Sequence, residues 1–292
     1  MITEALRHCP GIGPARLARL HELGIRSWTD VLDRGHGLPF FYRRELIAES
    51  RRCLAALEAR DVRYFVDRFE TCDKWRILSQ FLDDTTFFDI ETTGLEYDAR
   101  ITVIACWHRG ELRTFVEHEN LDEFLSLLDD VTLLASFNGS SFDVPRVLDA
   151  FHIPELPCPH LDLRWPCYHQ GFTGTLKAIA DSLDIARPVD LQHVDGFLAV
   201  QLWQAWQQRR DAAARARLIR YCAADVLLLV LIAHRLARRA TAAPAELLWS
   251  RLPPTTGASS PPASPSPTRS TSYSFGPASP RRLRAQLGQR RS

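Results

Sequence analysis

The stretch TTFFDIETTGL, Thr85 to Leu95, decides how the chain is read. Thr86, Phe87, Phe88 and Ile90 are the β-branched and aromatic residues that strands favour. Asp89 and Glu91 interrupt them, two residues apart. On a strand such neighbours project from one face, roughly 6–7 Å apart along the chain at ~3.3 Å per residue. Two carboxylates side by side repel each other, and burying them unpaired is costly. Whatever stabilises them must come from elsewhere in the sequence.

Two further segments supply carboxylates of the same kind. In LLASFNGSSFDVPRVL an apolar strand ends at Phe137, Asn138-Gly139 turn the chain, and Ser140 or Ser141 is placed to cap a helix. Asp143 then falls in that helix's first turn, at the mouth of the sheet. In LIRYCAADVLLLVLIAHRL an apolar stripe runs through Leu218, Cys222, Val226, Leu229 and Ile232, and Asp225 borders it. Tyr221 lies four residues before Asp225, on the same face. Four carboxylates carried toward one place would raise each other's pKa unless cations intervene. Hard divalent ions with oxygen ligands meet that need, and two of them about 3.5–4 Å apart activate water and stabilise a leaving oxygen in phosphodiester hydrolysis. Tyr221 is placed to orient or help deprotonate the attacking water.

In order and in spacing type, FFDIETTGL, SFNGSSFD and YCAAD resemble the three motifs of the DEDD 3′–5′ exonucleases, with Tyr221 marking the DEDDy branch. The wider run through HLDLR, GTLKAIA and YCAADVLLL is similar to the ribonuclease-H-like domain of a bacterial family of uncharacterised exonucleases, over residues 80–238. The resemblance implies an α/β fold with a mixed sheet, three antiparallel strands plus parallel ones, flanked by helices. It also implies two Mg²⁺ or Mn²⁺ ions held by Asp89, Glu91, Asp143 and Asp225, with Tyr221 positioning water. Thr92 and Asn138, within the first two motifs, become candidate nucleic-acid contacts.

Strand patterns at 85–91, 101–107, 112–117 and 131–137, the first three joined by short turns, predict an antiparallel meander followed by one more strand. Helical patterns follow at 121–129, 143–151, 174–183, 196–208 and 212–239. His160 and Asp162 in HLDLRWPCYHQGF read as strand-end structure. Cys158-x-His160 and Cys167-x-His169 lack the usual Cys-x₂₋₄-Cys zinc spacing, and no zinc site is read there. Lys177, one of two lysines with Lys74, reads as a solvated side chain.

Residues 1–76 read as a small all-α region, with helical stretches beginning at EALRHC. Within it LRHCPGIGPARLARLHELGIRSWTDVL resembles a helix-hairpin-helix element. Gly11-Ile12-Gly13 would turn the chain tightly and present backbone N–H groups to a DNA phosphate, with Arg16 adding charge. Residues 77–240 read as the nuclease domain. Residues 241–292, saturated with Pro, Ser and Arg, read as a disordered tail.

Charge divides along the same lines. By count the first region carries +3 and residues 77–250 carry −9, while residues 251–292 hold seven arginines and no acid. An acidic body between basic ends suits metal at the centre and a polyanion at the ends, so nucleic acid is the expected partner, DNA before RNA. No membrane span or signal core is visible, and seven scattered cysteines suit a reducing compartment, so the expected location is the cytoplasm. Two alternatives share these features: an RNA-processing exonuclease on the same fold, and a non-catalytic nucleic-acid-binding adaptor.

Overall fold

The structure, a computed structural model, describes residues 1–96, 98–192, 194–238 and 248–255. A five-stranded mixed sheet forms its centre, in the order β3-β2-β1-β4-β5. Strands β1 (Thr85–Thr92), β2 (Ile101–His108) and β3 (Glu111–Val116) are the antiparallel meander; β4 (Leu133–Ser136) and β5 (His160–Asp162) run parallel to β1. The short β5 lies in HLD, which had been read only as strand-end structure. Helices α1 (Pro14–Glu22), α2 (Trp28–Arg34), α3 (Phe40–Glu58), α4 (Val62–Arg68) and α5 (Trp75–Phe81) precede the sheet. Helices α6 (Glu123–Leu128), α7 (Asp143–Phe151), α8 (Arg164–His169), α9 (Leu176–Ser182), α10 (Gly196–Arg209) and α11 (Ala212–Leu236) are threaded through and after it.

The period of two along β1 sorts its side chains. Phe88 and Ile90 enter a core with Ile104, Phe115, Phe124 and Val147, on the side of α6 and α7. Phe87 enters the opposite core, where α11 lies, and Asp89 and Glu91 share its parity. Helix α11 exceeds the expected apolar stripe: every residue from Tyr221 to Ala233 is buried. A helix apolar all round belongs at the centre of a fold, and α11 packs directly on β1 and β2.

Two departures from expectation have local causes. EALRHC makes only one 3₁₀ turn, Ile2–Glu4, because Pro10 disfavours helical backbone at Cys9, and the Ala5 carbonyl accepts from the Trp28 indole N–H at 2.6 Å. The disordered tail expected over 241–292 falls mostly outside the described residues, but within 248–255 two leucines are buried. Leu248 and Leu252 join the main core, and the Pro253 carbonyl accepts from Arg220 at 2.8 Å. That core is continuous from Ile2 through the α1–α5 region to the sheet and Leu252. No helix among the described residues is long and apolar enough to cross a membrane.

Candidate active site

Strand β1 outruns its neighbour. It pairs with β4 only over Thr85–Phe87, so from Phe88 onward that edge of β1 is open at the C-terminal ends of the parallel strands. Asp89 and Glu91 lie in the open half, and two other elements close it. The Cys222 thiol of α11 donates to the Asp89 carbonyl at 3.4 Å, and the Asp143 carboxylate accepts from the Ile90 N–H. The paired acids thus stand where the sheet's own hydrogen bonds run out.

The loop that delivers Asp143 is built from residues 138–142. Neither Ser140 nor Ser141 caps α7; Phe142 takes the N-cap position without a side-chain bond, and Asp143 accepts its own backbone N–H instead. The loop is gathered by Asp162, at the end of β5, whose carboxylate accepts from the N–H groups of Asn138 (2.8 Å), Ser140 (3.1 Å) and Arg164 (3.0 Å). Asn138 adopts φ +62° there. Gly139 fits because it has no side chain: a Cβ would sit 1.8 Å from the Ser136 hydroxyl oxygen and 3.3 Å from Asp143 Oδ2. His160 bonds the same Ser136 hydroxyl at 2.9 Å, and burial lowers its pKa to about 4, so it is neutral.

Four carboxylates converge at this edge. Ligand atoms of Asp89, Glu91 and Cys222 all lie within 4.8 Å of one another. Burial, and then the charges of Asp143, Asp225 and Glu91, hold the Asp89 carboxyl well above its ordinary range. Glu91 is raised by burial and by Asp225. Burial lifts Asp143 to about 7. Asp225 is raised by burial too, against the pull of Arg187 and Lys177. A cluster of four carboxylates that Arg187 and Lys177 relieve only in part matches the chemistry of a hard divalent cation.

Three neighbours complete the site, and sequence reasoning placed only one. Tyr221 is buried and its phenol pKa is raised far by burial and by the charges of Asp225, Glu91 and Asp89, so the hydroxyl stays protonated. Lys177 is not solvated as expected. From α9 it donates 2.8 Å bonds to the Tyr221 hydroxyl and to the Val194 carbonyl, with its ammonium 4.7 Å from the Tyr221 ring centre. Its rarity, two lysines against 34 arginines, was the one available signal. Arg187 was missed altogether: it is buried, pairs with Asp225 at 3.0 Å and lies 5.5 Å from the Tyr221 ring centre. It comes from a loop 38 residues away, and no spacing rule reaches it.

Other candidate residues lie apart. Thr92 ends β1 and its hydroxyl donates to the Gly94 carbonyl at 2.6 Å. At the N-terminus Gly11 turns the chain at φ +80°, Ile12 is buried, and Gly13 precedes Pro14 at the start of α1. Arg16 is engaged rather than free, donating to the Gly11 carbonyl at 2.5 Å and stacking on Phe41. Cys158, His160, Cys167 and His169 do not converge; His169 bonds Thr71 at 3.0 Å instead. In a second donor cluster, His8, Glu49 and Cys53, the Glu49 carboxylate is already engaged by Arg52, Arg68 and the Tyr64 hydroxyl, while His8 Nδ1 is buried without a hydrogen-bond partner.

The family RNase_H_2, of the RNase H superfamily, matches residues 86–237. No curated protein matches the chain. Among solved structures, the family B DNA polymerase of the hyperthermophilic archaeon Pyrobaculum calidifontis is similar over 52% of this chain and 24% of its own, at 18% identity and a TM-score of 0.43. The chain therefore spans about a quarter of that polymerase's length.

Proposed function

The chain belongs to the RNase H superfamily, and from that premise we propose that it is a metal-dependent 3′–5′ exonuclease of the DEDDy type, acting on nucleic acid with DNA preferred to RNA. The convergence of Asp89, Glu91, Asp143 and Asp225 on the open edge of β1 carries the reading. These four would hold two Mg²⁺ or Mn²⁺ ions. When bound, such a pair supplies activation of water and stabilisation of the departing oxygen.

The protein's own groups do the rest. Tyr221, kept as a phenol by burial and by its acidic neighbours, orients the attacking water as a hydrogen-bonding partner. Lys177 fixes the Tyr221 hydroxyl from the opposite side. Arg187 holds Asp225 and fixes its rotamer. Asp162 and Gly139 hold the loop that delivers Asp143. In this reading residues 77–240 cut, and residues 1–76 grip duplex backbone through the Gly11–Gly13 turn. That Gly13 has open space where a Cβ would stand suits close approach of a phosphate.

The test uses 3′- and 5′-labelled single-stranded DNA and matching RNA, with Mg²⁺, Mn²⁺ or EDTA, beside Asp89→Ala. Metal-dependent release of mononucleotides from the 3′ end, absent in the variant, is expected. Binding without release from any substrate would overturn the assignment in favour of the adaptor.

A further inference from the structure

Outside the carboxylate site, four unlike donors meet next to the N-terminal turn. His8 and Cys9 come from the segment just before Pro10-Gly11-Ile12-Gly13. Glu49 and Cys53, one helical turn apart, come from α3. All four are closed off from solvent: the His8 and Glu49 side chains are 2% and 1% exposed, and both cysteines are buried. The His8 Nε2 atom is the hub. It lies 3.2 Å from Cys53 Sγ, 3.8 Å from Glu49 Oε1 and 3.9 Å from Cys9 Sγ. Ligand atoms of His8, Glu49 and Cys53 all fall within 4.8 Å of one another. Both cysteines are free thiols, close enough that a charge on Cys53 would weigh on Cys9.

The spacing suits a coordination shell. Tetrahedral zinc, with Zn–S about 2.3 Å and Zn–N about 2.0–2.1 Å, sets its S···N edge at about 3.5 Å. The two edges here, 3.2 and 3.9 Å, fall on either side of that value. As a hydrogen-bonded core the group is poorly satisfied. Nε2 has one lone pair or one proton to offer two sulfurs and a carboxylate, and Nδ1 is buried without a partner. As a metal site it is well supplied. Burial keeps His8 neutral, which is its ligating form. The Phe69 ring, 4.8 Å away between centres, holds the imidazole plane. Tyr64 and Arg52 donate to the Glu49 carboxylate at 2.7 and 2.8 Å and Arg68 at 3.4 Å, the kind of outer bonds that orient a ligating carboxylate. Those arginines balance Glu49, so two thiolates would balance a divalent ion, their protons released to water as it binds. Two sulfurs with an imidazole select Zn²⁺ over Mg²⁺ or Mn²⁺.

We propose that His8, Cys9, Glu49 and Cys53 form a structural Zn²⁺ site that fastens the entry of the Gly11–Gly13 turn to α3. Cys9 stands two residues before Gly11, so the ion restrains the turn from outside it. The site shares no residue with the carboxylates and does not depend on the hydrolysis proposed for them.

The test titrates the full chain, stripped of metal and kept in a phosphine reductant, with Co²⁺ as the spectroscopic stand-in for Zn²⁺. Tetrahedral thiolate-bound Co²⁺ absorbs strongly in the visible and shows sulfur-to-metal charge transfer, whereas octahedral Co²⁺ on carboxylates is nearly colourless. One equivalent should bring up both bands, Zn²⁺ should abolish them, and excess Mg²⁺ should not. Cys9→Ser with Cys53→Ser should lose them. Cys222→Ala, which removes the thiol beside Asp89, should keep them. Bands absent from the parent, or surviving in the double serine variant, overturn the site. Bands lost with Cys222→Ala place the ion among the carboxylates and overturn it as well. Should the serine variants not fold, X-ray absorption of the parent carrying one equivalent of Zn²⁺ decides. Two sulfurs at about 2.3 Å support the site, and one or none overturns it, since Cys222 alone could supply one.

Discussion

Without metal the protein should lose stability as the pH rises. Asp143 is 4% exposed, and burial holds its carboxyl at about 7 against an ordinary 3.8. Between these values the folded protein keeps a proton that the unfolded chain has released, so each step up in pH favours unfolding. At about 1.4 kcal/mol per pKa unit the gap is worth about 4 kcal/mol, fully lost once the pH passes 7. Asp89, Glu91 and Asp225 are displaced in the same direction and steepen the slope. Asp143→Asn removes one of these titrations. In EDTA at pH 8 the variant should melt above the parent by roughly 8–16 °C, since 1 kcal/mol moves the Tm of a domain this size by about 2–4 °C. At pH 5 the difference should shrink. Excess Mn²⁺ should reverse the order, stabilising the parent most at high pH. Thermal melts followed by circular dichroism from pH 5 to 8 provide the assay. A parent-minus-variant difference that stays flat across that range in EDTA would refute the reasoning, since the opposing titration of buried histidines such as His160 is common to both proteins.

Lys177→Met should lower kcat by about 10–100-fold with little change in KM, because the Tyr221 hydroxyl loses its 2.8 Å partner. Combined with Tyr221→Phe it should cost no more than the worse single variant, as single-turnover rates would reveal. Gly139→Ala should destabilise the fold by about 1–3 kcal/mol and abolish hydrolysis, since its Cβ meets the fixed Ser136 Cβ at 2.9 Å as well as the hydroxyl; urea unfolding measures the first and the labelled-strand assay the second. Gly13→Val should leave the Tm unchanged while weakening duplex binding, whereas Gly11→Ala at φ +80° should lower stability by about 1 kcal/mol; melts and anisotropy separate the two glycines.

How far the sequence could be read depended on the range of each interaction. The strands of the meander and α7, α10 and α11 were legible because period-two and helical patterns are local properties of the chain. The short β5 carries too few residues to show a period, and α8 is interrupted by Pro166. At the site, Asp89, Glu91 and Tyr221 with Asp225 were legible because each pair lies within one element. Asp143 was placed correctly in the first turn of its helix, but for the wrong local reason. The serines of its loop do not cap; a carboxylate from β5 gathers the loop across 22 and 24 residues. Lys177 and Arg187 meet the acids only through tertiary folding, 44 and 38 residues from their partners.

The continuous core limits how the protein can be dissected. Arg76 reaches back to the Met1 carbonyl and to Glu4, Arg63 donates to the Pro157 carbonyl, and the Phe65 and Phe81 rings lie 6.0 Å apart across the expected boundary near residue 76. A truncation there would strip an apolar face rather than remove a module, and lost activity in the fragment would report misfolding as readily as lost grip. The Gly11–Gly13 turn and the carboxylates are accordingly separable by point substitution and inseparable by scissors, and any variation in the distance between them must be accommodated by repacking a core instead of lengthening a linker.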